Sequence, residues 1–365
     1  MHLIDQSQIK PTFVTHAVPL ESMAGLTTAA TVPRVGDILL AEVLSLGKHT
    51  KIENRLGVNT HIFPGDLIIG VYGNRYATDQ FEGYVPAGPA EECDLLSIAG
   101  VCGEVASKHS NMPEPTRLRV LGDVCDRAGR SLSLPSFGMP APHDNGRGET
   151  ILVVGASMNS GKTTTVATLA RGLRRAGYRV AAAKITGTAA GKDGRLFLNS
   201  GAQPVMDFTD AGYPSTYLLG LDELMAIQRS LVARLRSEGS DYILLEVADG
   251  IFQRETRMLL DNPEFRAAVD HVFFAANDSL SAESGTRHLR AWGLPLRAIA
   301  GKVTSSPLAT REAQEATGLP CLTLKRLESA EVVSLIGPRR LESAEAVPPI
   351  AAERLDLVAP IRAVA

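Results

Sequence analysis

Residues Val153 to Thr164 read Val-Val-Gly-Ala-Ser-Met-Asn-Ser-Gly-Lys-Thr-Thr. Within them, Ala156-x-x-x-x-Gly161-Lys162-Thr163 has the spacing of a phosphate-binding P-loop, with Ala in place of the first glycine and Gly155 lending flexibility beside it. The chemistry follows from geometry. Backbone N–H groups across Ser157, Met158, Asn159, Ser160 and Gly161, and at the start of a helix over Lys162, Thr163 and Thr164, can point at phosphate oxygens. Lys162 would neutralise the β- and γ-oxygens, and the Thr163 hydroxyl can bind Mg²⁺. An apolar run, Ile151 to Gly155, precedes the loop. Val166, Leu169, Ala170 and Leu173 follow at i, i+3, i+4 and i+7, so the loop is expected between a strand and an amphipathic helix.

Phosphoryl chemistry needs more than a cradle: carboxylates to hold Mg²⁺ and a cation to neutralise charge on the transferred group. Further apolar runs end on such residues. Residues 179–185 lead to Lys184, Thr186 and Gly187; 242–248 to Glu246 and Asp249; 271–276 to Asn277 and Asp278; 296–303 to Lys302. The long, Gly-rich insertion after Lys184 suggests a substrate lid. It carries Asp193, Asp207 and Asp210 as candidate second magnesium ligands. Asp207 or Asp210 is favoured because Val205 and Met206 would fix their position. Asp249 would hold Mg²⁺ or orient a nucleophile, or simply form a turn before Gly250. Arg254 could clamp an anionic substrate. Nearer the N-terminus, Tyr72 to Phe81 is dense in polar and aromatic groups and offers Arg75 for substrate recognition, while Lys48-His49 and Lys108-His109 form polar pairs near strand ends.

The elements that must position these residues fall into two rhythms. A chain of 365 residues implies about two domains. Val35 to Leu46 and Pro64 to Asn74 both start near Gly-Asp and continue as β-branched runs, and short apolar runs with Gly turns follow. Residues 1–138 are therefore expected to form a small β-barrel-like domain for substrate recognition or oligomerisation. Pro-rich residues 139–149 suggest a linker. Apolar strands alternating with helical stripes over 150–324 predict an α/β domain with a doubly wound, mainly parallel sheet. Helices are expected over Asp222 to Arg236 and Ala282 to Trp292, with a last strand at 319–324. Residues 325–365 are expected to be a tail containing Arg-Leu-Glu-Ser-Ala-Glu twice, at 326 and 340. A net charge of -3 argues against nucleic acid and a membrane surface as partners. The N-terminus does not resemble a signal peptide, so a cytoplasmic location is expected. Four scattered cysteines, with no CxxC pair, suggest buried reduced thiols.

On these motifs the segment from Ile151 to about Leu324 resembles dethiobiotin synthetase and related ATP-dependent P-loop ligases. GYRVAAAKITGT is similar to that family's second strand, whose lysine faces the substrate carboxylate and the γ-phosphate. YILLEVADGIF is similar to the third, whose glutamate binds magnesium. The resemblance implies ATP and Mg²⁺ as cofactors, Lys162 and Thr163 on the nucleotide, Lys184 between phosphate and substrate, and Glu246 on the metal. It also implies a homo-oligomer, a fold that often dimerises across its active site. Three departures stand out. The family's Gly-rich stretch after the glutamate is Ala248-Asp249-Gly250 here. Its base-reading asparagine is missing from Val303-Thr304-Ser305, and the N-terminal half has no counterpart. A more distant likeness is to the P-loop family that includes D-glutamate N-acetyltransferase, in which the loop grips coenzyme A. The expected function is an ATP- and Mg²⁺-dependent ligase or kinase that phosphorylates a small carboxylate, with an amine capturing the acyl phosphate. The alternatives are CoA-dependent acyl transfer and a nucleotide-driven switch or cofactor-delivery adaptor.

Overall fold

The computed structural model describes residues 2–3, 8–27, 32–144, 146–329 and 331–337. The first half is β-rich. Its strands are β1 (His2–Leu3), β2 (Ile9–Pro11), β3 (Gly25–Thr27), β4 (Ile38–Ser45), β5 (Lys51–Glu53), β6 (Asn59–His61), β7 (Leu67–Tyr72), β8 (Phe81–Tyr84), β9 (Glu92–Leu95), β10 (Val101–Lys108) and β11 (Thr116–Cys125). The two Gly-Asp runs become β4 and β7, which pair antiparallel with Ile38 opposite Val71. The ladder β11–β4–β7–β10–β9 returns to β11, so five strands close on themselves. Alternation along β4 sends Ile38 and Leu40 into one apolar cluster and Leu39, Ala41 and Val43 into another. All four cysteines are buried free thiols.

The second half is a six-stranded parallel sheet in the order β14-β13-β15-β12-β16-β17. Its elements are β12 (Glu149–Gly155), α1 (Lys162–Arg175), β13 (Val180–Lys184), α2 (Gly191–Asn199), β14 (Val205–Asp207), α3 (Leu221–Ser237), β15 (Tyr242–Glu246), α4 (Arg254–Asp261), α5 (Pro263–Ala267), β16 (His271–Ala275), α6 (Ser279–Ala291), β17 (Leu296–Ala300), α7 (Pro307–Thr317), α8 (Leu324–Leu327) and α9 (Glu331–Ile336). Both faces are covered, which is why these strands are apolar throughout. Leu152 and Val154 face α3 to α7, whereas Ile151 and Val153 face α1, α8 and α9. From β12 the chain winds outward through β13 and β14, returns to β15, then crosses to β16. The carboxyl end of β12 is therefore the switch point where an open α/β sheet leaves a crevice.

Three expectations are corrected. The insertion after Lys184 is not a lid: it forms α2 and the edge strand β14, which pairs Asp207 with Lys184 in register. Residues 319–324 make one bridge, Cys321 to Ile299, and then enter α8, because Thr323 caps that helix through the Arg326 N–H. The last strand run stops at Ala300, where Gly301 takes φ 91° and the chain turns into a short 3₁₀ segment, Lys302–Ser305. The stretch proposed as a linker is irregular up to β12, although Met139 N–H donates to the Asp210 carbonyl and Asp144 pairs with Arg236 at 2.7 Å. The first Arg-Leu-Glu-Ser-Ala-Glu copy is closed by an Arg326–Glu331 ion pair; the second lies outside the described residues.

The two halves touch at specific points. Glu53, fully buried, accepts from the Gly191 N–H at 2.7 Å and pairs with Arg195 at 3.4 Å, so a carboxylate from β5 sits at the start of α2. His16 pairs with Asp210 at 3.1 Å.

Gly172, in the last turn of α1, shows how tightly α8 is seated: a Cβ there would stand 2.2 Å from the Leu327 carbonyl oxygen. Alanine would gain about 1 kcal/mol of helix propensity, but the clash is with backbone, and overpacking costs about 1–3 kcal/mol. Gly172→Ala is expected to lower the urea midpoint; unchanged or higher stability would show that α8 is not docked on α1.

Candidate functional site

The P-loop lies between β12 and α1, and its shape is set by close packing. Asn159 and Gly161 have φ of 61° and 101°. Among the described residues the backbone N–H groups of Met158, Asn159, Gly161 and Lys162 donate to no acceptor, which leaves an anion-binding concavity at the start of α1. Lys162 is buried. Its Nζ donates to the carbonyls of Ser157 at 2.8 Å and Asp249 at 2.7 Å, folding the ammonium over the loop. Gly155 makes this possible, since a Cβ there would meet Ser160 Oγ at 2.2 Å and Lys162 Cγ at 2.9 Å. Burial lowers Lys162, opposed by the nearby Glu246 and Asp249 carboxylates.

Next to the loop is a buried cluster of charge. Lys184, at the end of β13, hydrogen-bonds Asp193 of α2 and stands 3.7 Å from Glu246 Oε1 at the end of β15. Burial opposes the charge on Lys184, but Asp193 and Glu246 more than offset it and hold the ammonium well above the ordinary lysine range. Burial pushes Glu246 up, countered by Lys184 and Lys162. Asp249, φ 57°, is pushed up by burial and drawn down by the same two lysines.

The residues fit a magnesium ion. Thr163 Oγ1 lies 3.3 Å from Glu246 Oε1, and Glu246 Oε2 is buried without a hydrogen-bond partner among the described residues. A hard cation takes oxygen donors and keeps waters and phosphate oxygens in the rest of its shell. No three His, Cys, Asp or Glu side chains converge on one point among the described residues.

The loop and the charge cluster open into a cleft of 590 Å³ between the two sheets. Its far wall comes from the first half: Lys48, His49, Lys51, Arg75, Tyr76 and Gln80. Arg75 is held by backbone pairing with Gly83, 2.8 and 3.0 Å, at the mouth of β8. The edge of the loop is also touched from that side, by Asp79 on Asn159 Nδ2 and by Thr78 on the Met158 sulfur at 3.9 Å.

Of the residues expected at the site, Met158, Asn159, Lys162, Thr163, Lys184, Gly187, Glu246, Asp249 and Arg75 line this cleft. Thr186 does not; its hydroxyl accepts from the Ala248 N–H and fixes the neighbouring turn. Arg254 does not line the cleft either; it is half-exposed and bonds the Leu219 carbonyl and Glu255, tying α4 to the segment before α3. Nor do Asp207 and Asp210 line the cleft. Asp207 accepts from the Thr209 N–H and hydroxyl, and Asp210 from the Asp207 N–H and His16, so both carboxylates serve their own turn. The acidic residue that does reach Lys184 is Asp193. The sequence alone assigns no role to Asn277, whose Nδ2 donates to Ser157 Oγ at 2.7 Å, or to Gly301, where a Cβ would meet the Ser160 carbonyl at 2.4 Å. Asn277 was visible as the end of an apolar run; Gly301 carried no local signal.

Parallel sheet, switch point and phosphate loop together define a P-loop nucleotide-binding α/β protein. No family model matches the sequence, and no curated protein does either. Among solved structures, chloroplast FtsY from Physcomitrella patens is similar over 50% of this chain and 59% of its own, at 16% identity and a TM-score of 0.36. The Signal Recognition Particle 54 kDa protein from Aeropyrum pernix K1, in complex with GDP, is similar over 56% of this chain and 50% of its own, at 21% identity and TM-score 0.35. The signal recognition particle receptor FtsY from Elizabethkingia anophelis gives 44%, 52%, 16% and 0.30. The chain thus spans between half and three fifths of the length of these proteins. No helix among the described residues is long and apolar enough to cross a membrane.

The Lys184 cluster yields a stability test. Lys184→Met would strand two buried carboxylates, a change that costs about 3–5 kcal/mol. Adding Asp193→Asn should recover part of this in denaturant unfolding. A loss under about 1 kcal/mol for the single substitution would mean that the cluster is solvated like a surface pair.

Proposed function

We propose that the protein binds a magnesium nucleoside triphosphate on its P-loop and transfers the terminal phosphoryl group to a small anionic molecule held against the N-terminal half. The observation that carries this reading is the position of Lys184. It stands in one cleft between the phosphate loop and the polar wall of the first half, locked in place by Asp193 and Glu246. In-line transfer needs a fixed cation at the transferred group and little else covalent from the protein. Lys162 and the loop N–H groups would hold the β- and γ-phosphates, and Thr163 and Glu246 the metal. When bound, magnesium supplies charge neutralisation at the phosphates. Lys184 would steady the transferred oxygens, and the nucleotide's diphosphate would leave as the substrate oxygen takes the phosphoryl group. The resemblance to dethiobiotin synthetase supports a carboxylate acceptor and an ATP-dependent ligase; the base, adenine or guanine, is left to measurement.

A second reading has its own observation. Asp79 and Thr78 reach the P-loop from the N-terminal half, so a ligand that reshapes Met158 and Asn159 would also move that half. This favours a nucleotide-driven switch.

Calorimetric titration of wild type and Lys162→Ala with ATP, GTP and acetyl-CoA, with and without Mg²⁺, separates these. Magnesium-dependent binding of one triphosphate, weakened about 10- to 100-fold in Lys162→Ala, is expected from the loss of a charge-assisted phosphate contact. Diphosphate release that rises sharply with added carboxylates would support transfer; slow hydrolysis indifferent to them would support the switch. Acetyl-CoA binding without magnesium would replace both with acyl transfer.

A further inference from the structure

Arg75 is the odd residue of the cleft. It is 6% exposed and lines the cavity, yet its Nε and Nη1 have no hydrogen-bond partner among the described residues. Only Nη2 is engaged, donating to the neutral Gln80 Oε1 at 2.8 Å. A buried guanidinium without a carboxylate is costly unless something else completes it. The nearest acidic influence is Asp249 across the cleft, and it does not make up the deficit: burial still lowers Arg75 to about 10, which leaves it protonated at neutral pH. Three N–H bonds, one on Nε and two on Nη1, therefore lack acceptors. Lys48, Lys51 and Lys192 add positive charge around the same cavity.

His49 completes the picture. Its Nε2 lies 3.1 Å from the Leu96 carbonyl, which can only accept, so Nε2 carries the proton. Burial, with Arg75 adding to it, lowers this imidazole to about 4, so the ring is neutral. The remaining nitrogen, Nδ1, is then an acceptor only.

We infer that Arg75 and His49 form an oxyanion subsite in the wall opposite the P-loop, built for a carboxylate or phosphate group that has a hydroxyl or amino donor beside it. The inference rests on the phosphoryl-transfer reading and narrows its substrate to a small hydroxy or amino acid, or the corresponding phosphate ester. Arg75 gives the group a fork of charged donors; His49 accepts from the neighbouring donor; Lys184 faces it from the nucleotide side.

The test uses the full chain loaded with magnesium and a non-hydrolysable ATP or GTP analogue, whichever binds, so that added anions do not compete for the P-loop. Acetate, glycolate and inorganic phosphate are titrated by thermal unfolding and calorimetry against wild type, Arg75→Met and Arg75→Lys. At least one of these anions is expected to bind wild type and to bind Arg75→Met about tenfold or more weakly, with Arg75→Lys between them and analogue affinity unchanged in all three. Acetate against phosphate then tells which oxyanion the subsite takes, and glycolate should exceed acetate if His49 accepts a donor. A second arm needs no ligand: Arg75→Met should unfold no more easily than wild type, because it removes an unpaired buried charge. Anion binding equal in wild type and Arg75→Met, or no binding of any of them, overturns the subsite. So does a marked loss of stability in Arg75→Met, which would make Arg75 a structural residue. Failure of the analogue to bind wild type overturns the phosphoryl-transfer reading instead.

Discussion

The buried contact between Lys184, Asp193 and Glu246 is the constraint on which the rest of the site depends. It joins three elements that are distant in sequence: the end of β13, the first turn of α2 and the end of β15. Charges taken out of water are tolerated only when they are paired in good geometry. The cluster therefore fixes where α2 can sit against the sheet, and through Glu246 it fixes the distance from β15 to Thr163 on α1. The residues proposed to hold metal, phosphate and transferred group are thus positioned by one arrangement.

A second constraint is steric. The phosphate loop is wedged between the ends of its neighbours. Gly301 backs it, since the Lys302 N–H donates to the Ser160 carbonyl and a side chain at 301 would strike that oxygen. Gly250 does the same on the other flank, where a Cβ would come within 2.4 Å of the Ala156 carbonyl. Glycines in the turns after β15 and β17 leave room on both sides of the loop. Ala156 in that position is thus compatible with a tight loop whose flexibility lies elsewhere.

Much of this was legible in the sequence, and for clear reasons. A P-loop is local: strand, loop and helix are contiguous, so Lys162 and Thr163 could be placed from spacing alone. Lys184 and Glu246 were found because parallel strands bring their carboxyl ends to one edge, and both residues close apolar runs. Asp193 was weighed and passed over in favour of Asp207 and Asp210. The pairing of Asp193 with Lys184 was not legible because α2 was hidden: it begins on Gly191 and contains Gly194, residues that read as loop, so the helix that carries Asp193 to Lys184 left no periodic signal. Arg75 stood out only as part of a polar, aromatic stretch. Its burial and the pairing of its backbone with Gly83 come from contacts that no local pattern encodes.

The Glu53 carboxylate gives the layout a different meaning. It belongs to the first half, yet it satisfies the opening N–H of α2 in the second. The helix that supplies Asp193 therefore begins on an acceptor lent by the other half, so an α/β sheet that could bury its own core does not by itself complete its own site. Whatever the ancestry of the two halves, they have become one piece of machinery, and the Pro-rich stretch between them divides the chain in sequence without dividing its chemistry.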